Sequence, residues 1–356
     1  MCDLVRGQAE RGLRTGVVTS TDIGGASTDA ALSALEPSCA LHVHRIPMER
    51  TPGWSDLRAG RALEDICRKA RPDIVHGHGA KGAAYARLLG PRLGAKAVYT
   101  PHGGSLHYSW ATASGVVYLG LERLLKSRTD GMIFESGYAL QTYEEKLGAA
   151  PRLHRVVYNG LHEHEFTPVP RGSEKYDFVF VGELRRLKGI YVLLEAVARL
   201  RAEHELSVLL VGSGDEEALI RARIRALDLD GSVALSPPIH PARKAFALAR
   251  CVVIPSLAES LPYIVLEVLA SRVPLLTTRV GGIPEIFGPH SDRLLPPGSA
   301  SALALAMKAS LADPVRARTG AEALHTHVKR RFRVPRMVDA VVDFYGDVVG
   351  SGSGGS

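Results

Sequence analysis

Two carboxylates, Glu259 and Glu267, stand with seven residues between them in "AESLPYIVLEVLAS" (258–271), a stretch otherwise almost entirely apolar. It follows "CVVIPS" (251–256), which reads as a buried strand. In open α/β sheets the loop at the carboxyl end of a strand is where ligands bind. Ser260 is expected to cap the next helix and Pro262 to sit in its first turn. Glu259 then falls in the loop and Glu267 one to two turns into the helix. A helix start offers free N–H groups and a positive dipole end, both suited to a phosphate. One carboxylate can accept hydrogen bonds from two vicinal hydroxyls. One Glu could hold a sugar on one side of a phosphate and the other a ribose beyond it, as a sugar nucleotide demands. Spacing alone equally fits a loop Glu beside a salt-bridged helix Glu.

"FVGELRRLKG" (180–189) is a second strand-to-helix junction, crowded by Arg185, Arg186 and Lys188. A diphosphate leaving group needs such positive charge, although ordinary surface charge gives the same pattern. "VYTPHGGSLHY" (98–108) ends another strand with His102, two glycines and His107. It suits a ligand loop or a structural histidine. "LLVGSGDEEAL" (209–219) has G-x-G alone, more often a tight turn than a dinucleotide site. "HGH" (76–78) and "HEH" (162–164) have no partner cluster at metal-ligand spacing. "DLD" (228–230) falls at a helix end and reads as a polar turn. The chain has no GxSxG elbow, HExxH or P-loop.

The elements that must position these residues alternate along the chain. Strand-like runs occur at 15–20, 41–46, 73–78, 96–101 and 131–136, then at 176–182, 206–212, 232–238, 251–256 and 273–278. Amphipathic segments such as 55–70, 189–203 and 216–229 lie between them. Two such series imply two doubly wound domains with parallel sheets. The Pro-, Gly- and charge-rich "FTPVPRGSEKY" (166–176) separates domains at 1–168 and 169–349, the last helix returning to the first. Residues 350–356 form a flexible Gly/Ser tail. The chain opens on a helical pattern, "CDLVRGQAERG", with no strand before it. In the strand order 3-2-1-4-5 the first strand is central. Its absence leaves "TGVVTS" and "DIVHGH" on either side of a gap. The expectation is a distorted first domain or a gene that begins earlier.

The 356 residues suit two domains, and 46% hydrophobic with 23% charged residues suits a soluble globular protein. No apolar run reaches the roughly 20 residues that span a bilayer. The first residues lack the apolar core of a signal peptide. Four widely spaced cysteines suit reduced thiols in a cytoplasm. The net charge is +7, densest at "KRRFRVPR" (329–336). That cluster reads as a solvated helix end, with peripheral attraction to an anionic inner membrane face as the alternative. No aromatic-interleaved basic motif supports nucleic acid.

Taken in order, these features resemble the GT-B retaining glycosyltransferases of family 4 over nearly the whole chain. "ESLPYIVLE" is similar to the family's E-x7-E signature, and "VGGIPEI" (280–286) follows at the usual distance. "VVYNGLHEHEF" (156–166), "VGELRRLKG" and "TPHGG" resemble three further segments. The resemblance implies an α/β GT-B fold of two Rossmann-like domains facing a deep cleft, the second holding the donor. It implies that Glu267 binds the ribose hydroxyls. Glu259 binds the transferred sugar, helped by backbone N–H groups around Ser260, Leu261 and Pro262. Lys188 binds the diphosphate, with Arg185 and Arg186 beside it, and the main chain near Ile239 meets the base. His102 faces the reacting sugar and joins Glu259 and Lys188 as catalytic residues. The donor is a UDP- or GDP-sugar, with no metal or other cofactor. The acceptor is a saccharide or a lipid-linked sugar, as in polysaccharide biosynthesis. Two departures stand out. Glu183 replaces the family's usual Arg, a role Arg185 or Arg186 can take, and the opening strand with its Gly-Gly loop is missing. The rival readings are a catalytically impaired GT-B protein that binds nucleotide or a partner without transfer, and a sugar-nucleotide epimerase. E-x7-E argues against the epimerase.

Overall fold

A computed structural model describes residues 1–22, 24–49, 53–170, 172 and 174–351. The chain runs α1 (Cys2–Glu10), β1 (Val17–Ser20), α2 (Ala26–Ser33), β2 (Val43–Ile46), α3 (Ser55–Ala70), β3 (Ile74–His78), α4 (Gly79–Leu93), β4 (Lys96–Thr100), α5 (Ala113–Leu125), β5 (Gly131–Phe134), α6 (Gly137–Leu147) and β6 (His154–Val156). It continues with β7 (Tyr176–Val181), α7 (Ile190–Arg201), β8 (Val208–Val211), α8 (Glu217–Ala226), β9 (Val233–Ser236), α9 (Arg243–Phe246), β10 (Ala249–Ile254), α10 (Tyr263–Ala270), β11 (Leu275–Thr277), α11 (Ile283–Phe287), α12 (Ala300–Ala312), α13 (Pro314–Arg331) and α14 (Val334–Gly350). Two compact units result: Met1–Tyr158 with Val334–Ser356, and Asn159–Arg333. The division falls at Tyr158/Asn159, ahead of the Pro-rich stretch that the sequence marks at 168. Leu161 already bridges to Arg333, and Phe166 is buried, so this segment belongs to the second unit.

The first unit holds two parallel sheets, β1-β2 and β3-β4-β5-β6. β1 and β3 are edges of different sheets and do not pair. Side chains join the sheets instead. Val18 of β1 and Val75 of β3 pack in one cluster with Ala59 and Leu63 of α3. Leu4 of α1 packs with Val98 of β4 and with Val338 and Phe344 of α14, while its neighbour Val5 packs with Val17 and Val43. β6 is absent from the sequence reading because three residues, "HRV", carry no strand periodicity.

Helix α5 turns Gly115, Leu119, Glu122 and Leu125 inward. Glu122 is buried because Arg87 of α4 is buried with it. Arg87 Nη1 donates to Glu122 Oε2 at 2.7 Å, the Tyr99 hydroxyl donates to Oε1 at 2.9 Å, and the guanidinium lies 4.6 Å from the Tyr99 ring centroid. A buried charge is tolerated only when paired and hydrogen-bonded in this way.

The second unit has one parallel sheet, ordered β11-β10-β7-β8-β9. The carboxyl-terminal parts of its central strands are buried on both faces and read as continuous apolar runs, "FVFV" (178–181) and "CVVI" (251–254). The chain winds from β7 outward through β8 and β9, then returns to β10 on the other side. The switch point therefore lies between β7 and β10, where ligands bind in open α/β sheets. The loops there are 182–189 and 255–262, the two junctions singled out by their charges.

Among the described residues, no helix is long and apolar enough to cross a membrane. All four cysteines are free thiols. In the basic 329–336 cluster, Lys329 and Arg333 both pair with Glu163, at 2.6 and 2.8 Å.

Candidate active site

The two junctions of the second unit line a cavity of about 320 Å³. Arg185, Lys188, Glu259 and Pro262 border it, with Gly182, Glu183, Tyr263 and Ile264. Lys188 Nζ donates to Glu259 Oε1 at 2.7 Å, and the Ser256 hydroxyl donates to the same oxygen at 2.7 Å. Both charged side chains are largely buried, at 17% and 9% exposure. The residues expected to hold diphosphate and sugar thus neutralise each other in the free protein.

Backbone fit brings them together. Gly189, at φ +73, ends the 3-10 turn Arg186–Lys188, and a Cβ there would lie 1.8 Å from the Pro255 carbonyl oxygen. Gly281, at φ +56, backs the second loop, where a Cβ would lie 1.9 Å from the Glu259 carbonyl oxygen. Only glycine suits both the left-handed backbone and the close approach. The "VGG" of 280–282 therefore supports the Glu259 loop from behind.

The helix cap differs from expectation. α10 begins at Tyr263 with Pro262, extended at ψ 120, in the N-cap position, where its own side chain makes no cap hydrogen bond. Proline disfavours helical backbone in the residue before it, which keeps Leu261 out of the helix, and Pro262 is itself extended. The Ser260 carbonyl accepts from Gly282 N at 2.6 Å. The N-terminus of α10 still opens on the cavity through Pro262, Tyr263 and Ile264.

Glu267 lies on α10, half-buried, with no ion pair among the described residues. Burial, then the nearby Glu165 charge, raises its carboxyl above the ordinary value. A partly desolvated carboxylate without a cation suits a ligand's hydroxyl donors. Glu183 forms an ion pair with Arg185 at 3.1 Å, so its charge is locally offset. Arg186 is exposed, its backbone N–H donating to Glu216, which also accepts from the Tyr191 hydroxyl. Arg186, Ser260, Leu261, Ile239 and Glu267 do not line this cavity. Ile239 follows β9, half-buried, and Leu261 is buried. Ser256, Glu165 and Glu216 were not legible as site residues, since nothing local distinguishes them. Asp228 of "DLD" sits in a left-handed turn at φ +53 and pairs with Arg201 at 2.7 Å.

In the first unit, His102 lies just past β4 with φ +49, followed by Gly103 and Gly104, also at positive φ. Strain in a non-glycine residue is a pointer to function. Its Nε2 is 2.9 Å from His78 Nδ1, with the rings stacked 5.2 Å apart. His76 lies against His78 at a 31° tilt, with centroids 4.1 Å apart, and is held by the Tyr345 hydroxyl at 2.6 Å and Thr100 Oγ1 at 2.9 Å. "HGH" thus forms a hydrogen-bonded imidazole stack with His102. Burial pushes His76 down to about 3, and lowers His78 and His102 as well.

Unfolded imidazoles bind protons below about pH 6.5, which folded His76 does not. Its contribution to stability is complete above that pH and is lost as pH falls toward about 3. The slope is roughly 1.4 kcal/mol per pH unit. The melting temperature should fall between pH 7.5 and 5, and His76→Gln should reduce that fall. Equal pH sensitivity in the variant contradicts the account.

Comparison with known proteins bears on the family and the fold. Residues 1–160 match the model of the glycosyl transferase 4-like domain, and residues 175–313 that of glycosyl transferases group 1. Sucrose-phosphate synthase from Thermosynechococcus elongatus superposes with TM-score 0.80 at 21% identity, over 98% of this chain and 92% of that one. Anabaena HepE, solved with UDP-glucose, superposes with TM-score 0.78 at 18% identity, over 97% and 95%. The fold is therefore GT-B, with two Rossmann-like units. The chain belongs to the family 4 glycosyltransferases of this fold. Among curated relatives, the putative teichuronic acid biosynthesis glycosyltransferase TuaC of Bacillus subtilis is 37% identical over 129 residues, 36% of this chain and 31% of the relative. A D-inositol 3-phosphate glycosyltransferase of Pseudarthrobacter chlorophenolicus is 26% identical over 348 residues, 88% of this chain and 81% of the relative. The matches span less than two thirds of the first relatives' own length, 31% for TuaC and 55% for the Segniliparus rotundus D-inositol 3-phosphate enzyme.

Proposed function

We propose that this protein transfers a sugar from a UDP- or GDP-sugar to a saccharide or lipid-linked acceptor, with retention of configuration and without a metal. The observation that carries this reading is the Lys188–Glu259 pair at the β7/β10 switch point, facing the N-terminus of α10. The donor's diphosphate takes Lys188 from Glu259, and the freed carboxylate accepts hydrogen bonds from the transferred sugar. Arg185 is the nearer of the two candidate arginines to supply further charge, because it borders the cavity and Arg186 does not. Glu267 accepts from the ribose hydroxyls, main chain near Ile239 meets the base, and His102 meets the reacting sugar. Cationic support for the departing diphosphate does most of the work, so no protein nucleophile is required. The solved complexes of HepE with UDP and UDP-glucose support a sugar-nucleotide donor for this fold.

Calorimetry divides the two carboxylates. Glu267→Ala should weaken UDP or GDP binding about tenfold to a hundredfold, since charge-assisted hydrogen bonds are lost. Unchanged affinity in a folded variant rejects the ribose role. Glu259→Ala should not weaken free-nucleotide binding, and should tighten it to the extent that Glu259 competes for Lys188, yet it should lower transfer. Equal losses for nucleotide and nucleotide sugar contradict that division.

A further inference from the structure

A helix packed on a sheet ordinarily buries its apolar stripe and shows water its polar one. Helix α5 departs from this: it buries Leu119 and Leu125 and is apolar on its outward side as well. Its outward residues are Val116, Val117, Leu121 and Leu124, at 52%, 57%, 46% and 70% exposure. At about 100° per residue, these four and Gly120 fall within one arc of about 140°. The helix has one carboxylate, Glu122, and it is turned inward and paired with Arg87. No negative charge therefore lies on the outward arc.

Arg123 borders that arc and Arg128 follows the helix, both exposed and without an ion pair among the described residues. Two aromatic residues precede the helix. Trp110 is 40% exposed and donates its Nε1–H to the Lys146 carbonyl at 3.0 Å. Tyr108 is 36% exposed and stacks on Tyr118 of α5 with centroids 4.6 Å apart.

We propose that the outward face of α5, with Trp110, Arg123 and Arg128, docks on an anionic lipid surface. An apolar arc, amphipathic aromatic rings and cations without counter-charges are what an interfacial helix requires. A second copy of the chain fits the same face less well. Two-fold symmetry sets each patch against itself, bringing Arg123 and Arg128 toward their own copies. The 329–336 cluster is a weaker candidate, because Glu163 already offsets Lys329 and Arg333. The inference stands independently of the transfer reaction.

The test is co-sedimentation of the full chain with vesicles of phosphatidylcholine alone, or mixed equally with phosphatidylglycerol. Binding should favour the mixed vesicles and weaken with salt. Leu121→Ser with Leu124→Ser should weaken it at least about tenfold. Arg123→Glu with Arg128→Glu should weaken it about fivefold per cation and flatten the salt dependence. These side chains face water, so melting temperatures should hold. In a Trp54→Phe background, Trp110 emission should shift blue on mixed vesicles, a readout that leaves α5 unaltered. Nucleotide affinity should be unchanged in all α5 variants, which separates this result from the donor site. Absent binding to mixed vesicles at low salt overturns the proposal, as does binding indifferent to the leucine pair. Dimers in sedimentation equilibrium that the leucine substitutions dissolve, without vesicle binding, assign the face to a second copy and also overturn it.

Discussion

Lys188→Ala should lower turnover about 10²–10³-fold, the loss typical of removing one preorganised group from a developing oxyanion. The side chain is positioned for this role by its 3-10 turn and lies over the cavity with Glu259. Negative charge grows on the diphosphate as the sugar leaves, so the lost interaction is largest in the transition state. Turnover should therefore fall further than donor affinity. The variant also leaves Glu259, 9% exposed, with Ser256 as its remaining hydrogen-bond donor in this pair of contacts. A modest stability loss should accompany it, and circular dichroism at the assay temperature separates the two effects. Turnover within threefold of wild type (about 0.7 kcal/mol) in a folded variant rejects the catalytic role.

Gly189→Ala should cost about 3 kcal/mol or more in folding stability. A left-handed non-glycine residue costs roughly 1–3 kcal/mol, and relieving overpacking a similar amount. Here the obstruction is the Pro255 carbonyl oxygen, 1.8 Å from the new Cβ, at the end of the central strand β10. Backbone must move, and it carries either Lys188 or the Glu259 loop with it. The urea midpoint should drop at constant slope, and donor affinity should fall in the fraction still folded. An unchanged midpoint shows that the turn is not pinned as described.

The second sheet was legible because the buried ends of its central strands, "FVFV" and "CVVI", are wholly apolar. The two loops at the switch point were legible because charge at the carboxyl ends of such strands needs a reason. The start of α10 departs from the expectation: Pro262 rather than Ser260 holds the N-cap position, and the Ser260 carbonyl accepts from Gly282, beyond α10. No local pattern reports that contact. Composition marked the Pro-rich stretch at 166–176 as a boundary, whereas the units divide where packing changes, at Asn159. Glu165 and Glu216 escaped notice because their effects act across sequence gaps, on Glu267 and on Tyr191 with Arg186. Periodicity identifies a stripe on α5 but not which side faces in. The buried Arg87–Glu122 pair, 35 residues apart, decides that.

The central claim is metal-free transfer from a nucleotide sugar at the β7/β10 switch point. Its most direct test incubates the full chain with a panel of UDP- and GDP-sugars in EDTA, reading free nucleotide and the anomeric configuration of the product. The account predicts nucleotide release from at least one donor, retained configuration, and loss of both signals in Lys188→Ala. Nucleotide binding without turnover of any donor, or turnover only after Mn²⁺ or Mg²⁺ is restored, contradicts it.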